Sequence, residues 1–311
     1  MRLIERLGRA GACLPAVIVG VALAGAACAE ESETCRDLQR RYDVGKSAMT
    51  AIEVSIVLFS AADNGCAPLL ARLLDDGASL DARDRFGAKP LSHAARAGEL
   101  PAVRLLLDRG ASIDARNLAG SSALFVAIEA GRPAVARELI ARGANVDLTG
   151  RSELTPLAVA AFNRDDALVD LLLAKGSDAG AIDKTGKTPI VYAAGRGALA
   201  VVARLLDHGI DVNARYGNAL TVLMWTAGHD DAVPVADGIK VASLLLDRGA
   251  RIDDRDDRGR TALMIAAEQG QAEMVEFLLS RGADPGIKDN AGKAAADLAS
   301  ATALREKLVG R

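Results

Sequence analysis

Large aromatic side chains are nearly missing from this chain: one Trp, three Tyr and five Phe among 311 residues. Aromatics dominate the cores of most globular folds, so a core here has to come from small and aliphatic side chains, as in stacked Ala/Leu-rich helices. Histidine is equally scarce, and His93, His208 and His229 stand well apart. No Ser/His/Asp, Cys/His or metal-spaced constellation can be assembled from them, which argues against an enzyme, a bound cofactor, a metal or a small-molecule substrate. There is no Lys/Arg-rich block either, and the formal net charge is −3. An acidic chain without a basic stripe is a poor partner for nucleic acid or for an anionic membrane surface.

Apolar residues, by contrast, make up 50% of the chain, and there are 30 glycines. Their spacing carries the information. In the stretch from Asp256 to Lys288, Gly259, Gly270 and Gly282 mark off a turn, a short helix, a second helix and an exit. Leu263, Ala266 and Ala267 give the first helix an apolar side, and Met274, Val275, Leu278 and Leu279 stripe the second at helical spacing. Gly282 follows that stripe, where a helix commonly ends in a left-handed residue that only Gly adopts cheaply. Neither helix is long enough to stand alone. The pattern recurs: Gly77, Gly110, Gly143, Gly176, Gly209, Gly249 and Gly282 are 33 residues apart, except for a step of 40 from Gly209 to Gly249. Such a period signals stacked units that bury each other's apolar faces.

Helix-opening triplets keep the same phase: Lys89-Pro90-Leu91, Ser122-Ala123-Leu124, Thr155-Pro156-Leu157, Thr188-Pro189-Ile190, Thr221-Val222-Leu223 and Thr261-Ala262-Leu263. Lys89 to Ala95 and Thr188 to Ala194 closely approach the signature Thr-Pro-Leu-His-x-Ala-Ala, and the chain resembles the ankyrin repeat family over residues 52–299. The resemblance implies an all-α solenoid of paired antiparallel helices with β-hairpin fingers. The repeats are 51–83, 84–116, 117–149, 150–182, 183–215, 216–255 and 256–288. Residues 30–50 read as an N-terminal helical cap and 289–311 as a C-terminal capping half-repeat, since terminal units must present a polar outer face. Repeats two, three and five keep the turn glycines Gly87, Gly120 and Gly186, so regular fingers are expected there. Repeat four has Glu153 at that position, and its finger is expected to be irregular. Repeat six carries an insertion at 229–238, expected as a surface loop.

The first 29 residues are different in kind: Arg2, Arg6 and Arg9 precede an uncharged run from Ala10 to Ala29 that closes with Ala27-Cys28-Ala29. This is the pattern of a secretory signal cut after Ala29. Lipidation at Cys28 is one alternative, weakened by Gly25 where a lipobox has Leu. An uncleaved anchor is another, since 20 uncharged residues can just span a bilayer. All three readings export the repeats, to the periplasm or the medium, and only the last two attach them to a membrane. Loss of Arg2, Glu5, Arg6 and Arg9 with residues 1–29 shifts the net charge from −3 to −5 and leaves Cys35 and Cys66. Two cysteines in an oxidising compartment suggest one disulfide, stapling the cap to repeat one; two unpaired thiols are the alternative.

Two segments imitate phosphate loops, Ala181 to Thr188 and Arg40 to Ser47, but both lack the first glycine of that motif. Asp253, Asp254, Asp256 and Asp257 lack the ligand order of a calcium loop. Interleaved with Arg251, Arg255, Arg258 and Arg260, they read as a solvated charged finger. The family resemblance puts binding on finger tips and on the exposed face of the first helices. By phase, one column there is His93, Val126, Val159, Tyr192, Trp225 and Ile265, and the next is Arg96, Glu129, Phe162, Arg196, His229 and Glu268. Finger tips include Arg85, Phe86, Lys184, Tyr216 and Arg258. Trp, Tyr and Arg are frequent interface anchors, and Tyr192, Tyr216 and Trp225 fall in adjacent repeats. The expectation is a non-catalytic scaffold or regulator in the periplasm that binds a partner protein. A secreted effector that binds a host protein is the alternative.

Overall fold

Each repeat is punctuated at both ends, and the punctuation decides where its helices start and stop. The structure, a computed structural model, describes residues 32–228 and 233–309. The signal-like segment 1–29, with Cys28, and His229 lie outside the described residues. Ser122, Thr155, Thr221 and Thr261 open first helices by accepting, through their hydroxyls, the N–H groups of Phe125, Ala158, Met224 and Met264 at 3.1–3.4 Å, which satisfies donors that the helix itself cannot. Pro90, Pro156 and Pro189 take the first helical turn, where a missing N–H costs nothing. Second helices end on the seven periodic glycines, Gly77 to Gly282, all at φ between 85° and 95°. An added Cβ would touch nothing there, so the requirement is the left-handed backbone itself.

The helices follow in order: α1 (Glu33–Gly45), α2 (Ala51–Asp63), α3 (Ala67–Asp75), α4 (Pro90–Ala97), α5 (Leu100–Asp108), α6 (Ala123–Glu129), α7 (Pro133–Ala141), α8 (Pro156–Phe162) and α9 (Asp166–Ala174). Then come α10 (Pro189–Gly195), α11 (Leu199–Asp207), α12 (Val222–Ala227), α13 (Val235–Asp247), α14 (Ala262–Glu268), α15 (Ala272–Ser280), α16 (Ala295–Leu298) and α17 (Thr302–Val309). The first helices α2, α4, α6, α8, α10, α12, α14 and α16 stack in one row, and the second helices α3 to α15 stack behind them. Two columns of second-helix side chains are wholly buried: Leu70, Val103, Ala136, Val169, Val202, Ala242 and Val275, and Leu73, Leu106, Leu139, Leu172, Leu205, Leu245 and Leu278. The matching first-helix column is Ala61, Ala94, Ala127, Ala160, Ala193, Thr226 and Ala266, small side chains that let neighbouring helices approach. Truncating one of those leucines to Ala costs about 2–5 kcal/mol in such a core.

Both ends of the row are closed. α1 packs on α2 and α3, Tyr42 is buried, and its hydroxyl donates to Asp76 at 2.9 Å. Cys35 and Cys66 form a disulfide, with their Cα atoms 5.3 Å apart. At the other end Leu304 and Leu308 of α17 are buried, and Lys307 pairs with Glu276.

The fingers are organised by one side chain each. Asp84, Asn117, Asp183, Asp256 and Asp289 accept N–H groups from residues two or four positions on, at 2.7–3.1 Å. In fingers four and six Gly150 and Tyr216 stand at that phase, and these two fingers depart from the rest. Finger four holds a short 3-10 turn (Arg151–Glu153) with Ser152 and Glu153 at φ 56° and 61°. Finger six has Asn218 and Ala219 at φ 59° and 58°. Among the described residues it alone forms paired strands, β1 (Arg215–Tyr216) with β2 (Leu220–Thr221). Gly150 is required by its neighbour: a Cβ there would lie 2.4 Å from the Phe125 ring.

Two sequence expectations change. Asp256 is not solvated: it is 6% exposed, because it holds finger seven together through Arg258 and Arg260. The insertion at 229–238 is not wholly a loop, because Val235 to Gly238 start α13 early and Val233 is buried beside Gly197 of repeat five.

The disulfide closes a loop with a sequence separation of 31 residues. The chain-entropy relation then assigns it about 3–4 kcal/mol. Cys35→Ala/Cys66→Ala is expected to lower the denaturant-unfolding free energy by that order, with hydrogen exchange accelerating first in α1 to α3. A variant with an unchanged midpoint would mean that the cap needs no staple.

Candidate functional site

Fingers two and three and the first helices of repeats one to three enclose a groove of about 990 Å³. Its wall exists because α2 begins early. Thr50 and Glu53 cap each other's backbone, making α2 13 residues long against 8 in α4. The extra turns carry Ile52 and Ile56, which are 73% and 56% exposed, and Phe86 faces the same groove at 58%. The Arg85 guanidinium lies 4.7 Å from the Phe86 ring centre. At the floor His93 stacks on Phe59, with ring centres 4.7 Å apart. Its Nδ1 is 2.9 Å from Asp63, its Nε2 is 3.3 Å from Asp84, and Arg96 pairs with Asp63 at 3.1 Å. Burial pushes the Asp63 carboxyl up, but hydrogen bonds and charge from His93 and Arg96 outweigh it and hold Asp63 below the ordinary carboxylate value.

A second cluster spans repeats four to six. Phe162, 46% exposed, meets Tyr192 edge to face at 6.2 Å. Lys187 Nζ lies 5.6 Å from the Tyr192 ring centre and 5.0 Å from that of Trp225, and the Arg196 guanidinium lies 4.9 Å from that of Phe162. The Tyr192 hydroxyl donates to Asp183. Burial and that hydrogen bond push the Tyr192 phenol up to about 12. Asp183, raised by burial, is carried below its ordinary value by the hydrogen bonds it accepts from Tyr192, Thr185 and Lys187.

The sequence-predicted residues therefore divide. Arg85, Phe86, His93 and Arg96 share the first groove, and Tyr192, Arg196 and Trp225 share the second cluster. Lys184 pairs with Glu153 at 3.6 Å on an adjacent finger. Arg258 is exposed on finger seven, away from both. Several placements need correction. His93, Val126, Val159 and Ile265 are buried rather than open, because that column packs between successive first helices; Tyr192 and Trp225 are half-buried. Arg196 caps the end of α10, one residue past the Arg96 phase, which belongs to Gly195. Tyr216 is not at a fingertip: it holds the finger-opening position and is half-buried, and burial raises its phenol. Ile52, Ile56, Phe59, Asp183 and Lys187 were not anticipated. The Thr50/Glu53 capping box was the readable signal for the first two.

The family now follows from comparison. Profiles described as "Ankyrin repeats (3 copies)" match residues 58–150 and 157–236, and one described as "Ankyrin repeats (many copies)" matches 245–299. The chain belongs to the ankyrin repeat family. Similar to it over a short stretch are the proteins called "Ankyrin repeat domain-containing protein 63" in Homo sapiens and Mus musculus, each 47% identical over 49 residues. That stretch is 16% of this chain and 13% of theirs, so the likeness covers a small part of those relatives. Ankyrin repeats suggest a protein-binding scaffold and are typically non-catalytic. Among the described residues, no three His, Cys, Asp or Glu side chains are grouped to hold a metal ion, and no helix is long and apolar enough to cross a membrane.

All three tyrosines of this ankyrin chain are raised above the ordinary 10.0. An alkaline titration followed by tyrosinate absorbance should therefore show less ionisation at pH 10 in the folded state than in the unfolded state, with the Tyr192 step at about 12. The sign follows from linkage: stability from neutral Tyr192 is complete below 10 and is lost as pH rises through about 12. Asp183→Asn is expected to bring the Tyr192 step part of the way down, and an unmoved step would break the proposed coupling.

Proposed function

We propose that this ankyrin chain is a non-catalytic scaffold or regulator of the periplasm that holds a partner protein across its fingers and first helices. The observation that carries the binding reading is the apolar trio Ile52, Ile56 and Phe86, each more than half exposed around a single groove. A contiguous apolar surface rimmed by charge, here by Arg85 and Arg96, is characteristic of interaction sites. The hydrogen bond between His93 and Asp63 and the stack of His93 on Phe59 fix the floor beneath it, which supports a preorganised surface with a small ordering cost on binding. The half-buried aromatics Tyr192 and Trp225 extend the same kind of surface to repeats five and six. Export is supported by Arg2, Arg6 and Arg9 ahead of the uncharged run ending at Ala27-Cys28-Ala29. The Cys35–Cys66 disulfide fits an oxidising compartment.

Two measurements test this. A carboxy-terminally tagged chain is expected to capture a stoichiometric protein from the native cell envelope, and Ile56→Asp/Phe86→Asp is expected to abolish that capture while helicity stays intact. Retention by the double variant would rule out the groove. Intact-mass measurement on the periplasmic fraction should find a mature chain that begins at Glu30. A full-length chain beginning at Met1 in the cytoplasm would overturn export.

A further inference from the structure

Several cations along the fingers and first helices are matched with carboxylates: Arg96 with Asp63, Arg151 with Glu129, Lys184 with Glu153 and Arg260 with Glu268. Lys187 and Arg196 are not, and, unlike Arg85 over the single ring of Phe86, they converge on one cluster of rings. Among the described residues neither forms an ion pair, and each lies over aromatic rings instead, Lys187 over Tyr192 and Trp225 and Arg196 over Phe162. Asp183, on the same finger as Lys187, is already occupied by the Tyr192 and Thr185 hydroxyls and by the N–H groups of Thr185 and Lys187. Arg196 Nε and Trp225 Nε1 are buried donors without an acceptor among the described residues. The patch thus holds two cations without ion pairs and two donors without acceptors among the described residues, and the one carboxylate of its finger is occupied.

A cation over a ring is held more weakly than one hydrogen-bonded to a carboxylate, so both side chains can exchange their rings for an incoming anion. The rings meanwhile keep them partly desolvated and in place. Phe162 and Tyr192 stand edge to face between the two cations, and Phe162 is 46% exposed. Apolar contact and charge therefore occur side by side on one surface of a chain whose net charge is −3. Attraction for an acid must be local to this patch.

We infer that the patch on repeats four to six binds an acidic segment of the partner protein. Carboxylates of Asp or Glu meet Lys187 and Arg196, and an adjoining apolar side chain lies against Phe162. A carboxylate only accepts hydrogen bonds, and it matches the planar fork of Arg. The inference rests on the protein-binding reading above and names the chemistry of what is bound.

The test is selection of a displayed random-peptide library on the immobilised chain. Binding of the enriched sequence, as a synthetic peptide, is then measured to the unaltered chain, to Lys187→Ala/Arg196→Ala and to Arg137→Ala, a change at an exposed position of the second helix α7. Enriched peptides should carry Asp or Glu beside an aromatic or aliphatic residue. The double variant should bind them about tenfold or more weakly, the order expected for losing two half-buried charge partners, while Arg137→Ala binds as before and all three chains unfold at the same temperature. Enriched peptides without acids, or acidic peptides that bind the double variant equally, overturn the acidic assignment and leave the protein-binding reading standing. If no peptide is enriched this inference falls, and the envelope capture decides the broader reading by itself.

Discussion

A helix of seven to nine residues, the usual length here, cannot bury its apolar face unaided, and the organisation of this chain follows from that. Every repeat borrows its core from the next one. The alanine column of the first helices brings backbones close, and the leucine and valine columns of the second helices fill the space behind them. Stability then grows by nearest-neighbour interfaces, which leaves the two ends as the places where apolar surface would meet water. Both ends are closed, but by unlike means: a covalent bond and a buried tyrosine at the amino end, two leucines on a short charged helix at the carboxy end. The asymmetry makes the carboxy-terminal repeats the natural place for fraying to begin.

The exposed apolar and aromatic surfaces lie where periodicity fails. A repeat that kept every consensus feature would offer the same surface as its neighbours. The groove by Phe86 depends on an N-terminal helix that starts too early for its phase, and the aromatic cluster adjoins the two fingers that lack their organising Asp or Asn. Those fingers accept left-handed backbone at Ser152, Glu153, Asn218 and Ala219, conformations that cost a non-glycine residue free energy and persist when the surroundings impose them. The stack supplies that imposition, because the helices on either side are already fixed.

Much of this was legible in the sequence. Helix ends were readable because a glycine forced into left-handed backbone leaves a period that no packing detail disturbs. The Cys35–Cys66 pairing was readable because taking residues 1–29 as a candidate signal singles out these two cysteines, and they fall in the cap and in repeat one. What eluded the sequence depends on side-chain direction. His93 holds a position on the first-helix face, yet two aspartates from neighbouring segments and a stacked phenylalanine draw it inward. Tyr216 reads as a tip because fingers look alike in sequence until the Asp phase is recognised. Lys187 gave no signal at all, since only the fold brings it over rings from two repeats.

The fingers are also tied to one another unevenly along the row. Arg83 and Arg116 bridge to the carbonyls of Arg116 and Thr149 in the following fingers, and Arg215 and Arg255 do the same to Arg255 and Lys288. Thr149 and Ile182 replace arginine at the two intervening positions. There, single backbone bonds, Lys184 N–H to Ser152 and Gly217 N–H to Gly186, are the backbone links between fingers four and five and between five and six. Two arginine-bridged runs of fingers thus flank finger five, which among the described residues no arginine ties to either side. The aromatic patch therefore lies where the arginine ladder is broken, and there the helix stack, with α8 and α10 in close contact, carries the continuity of the row.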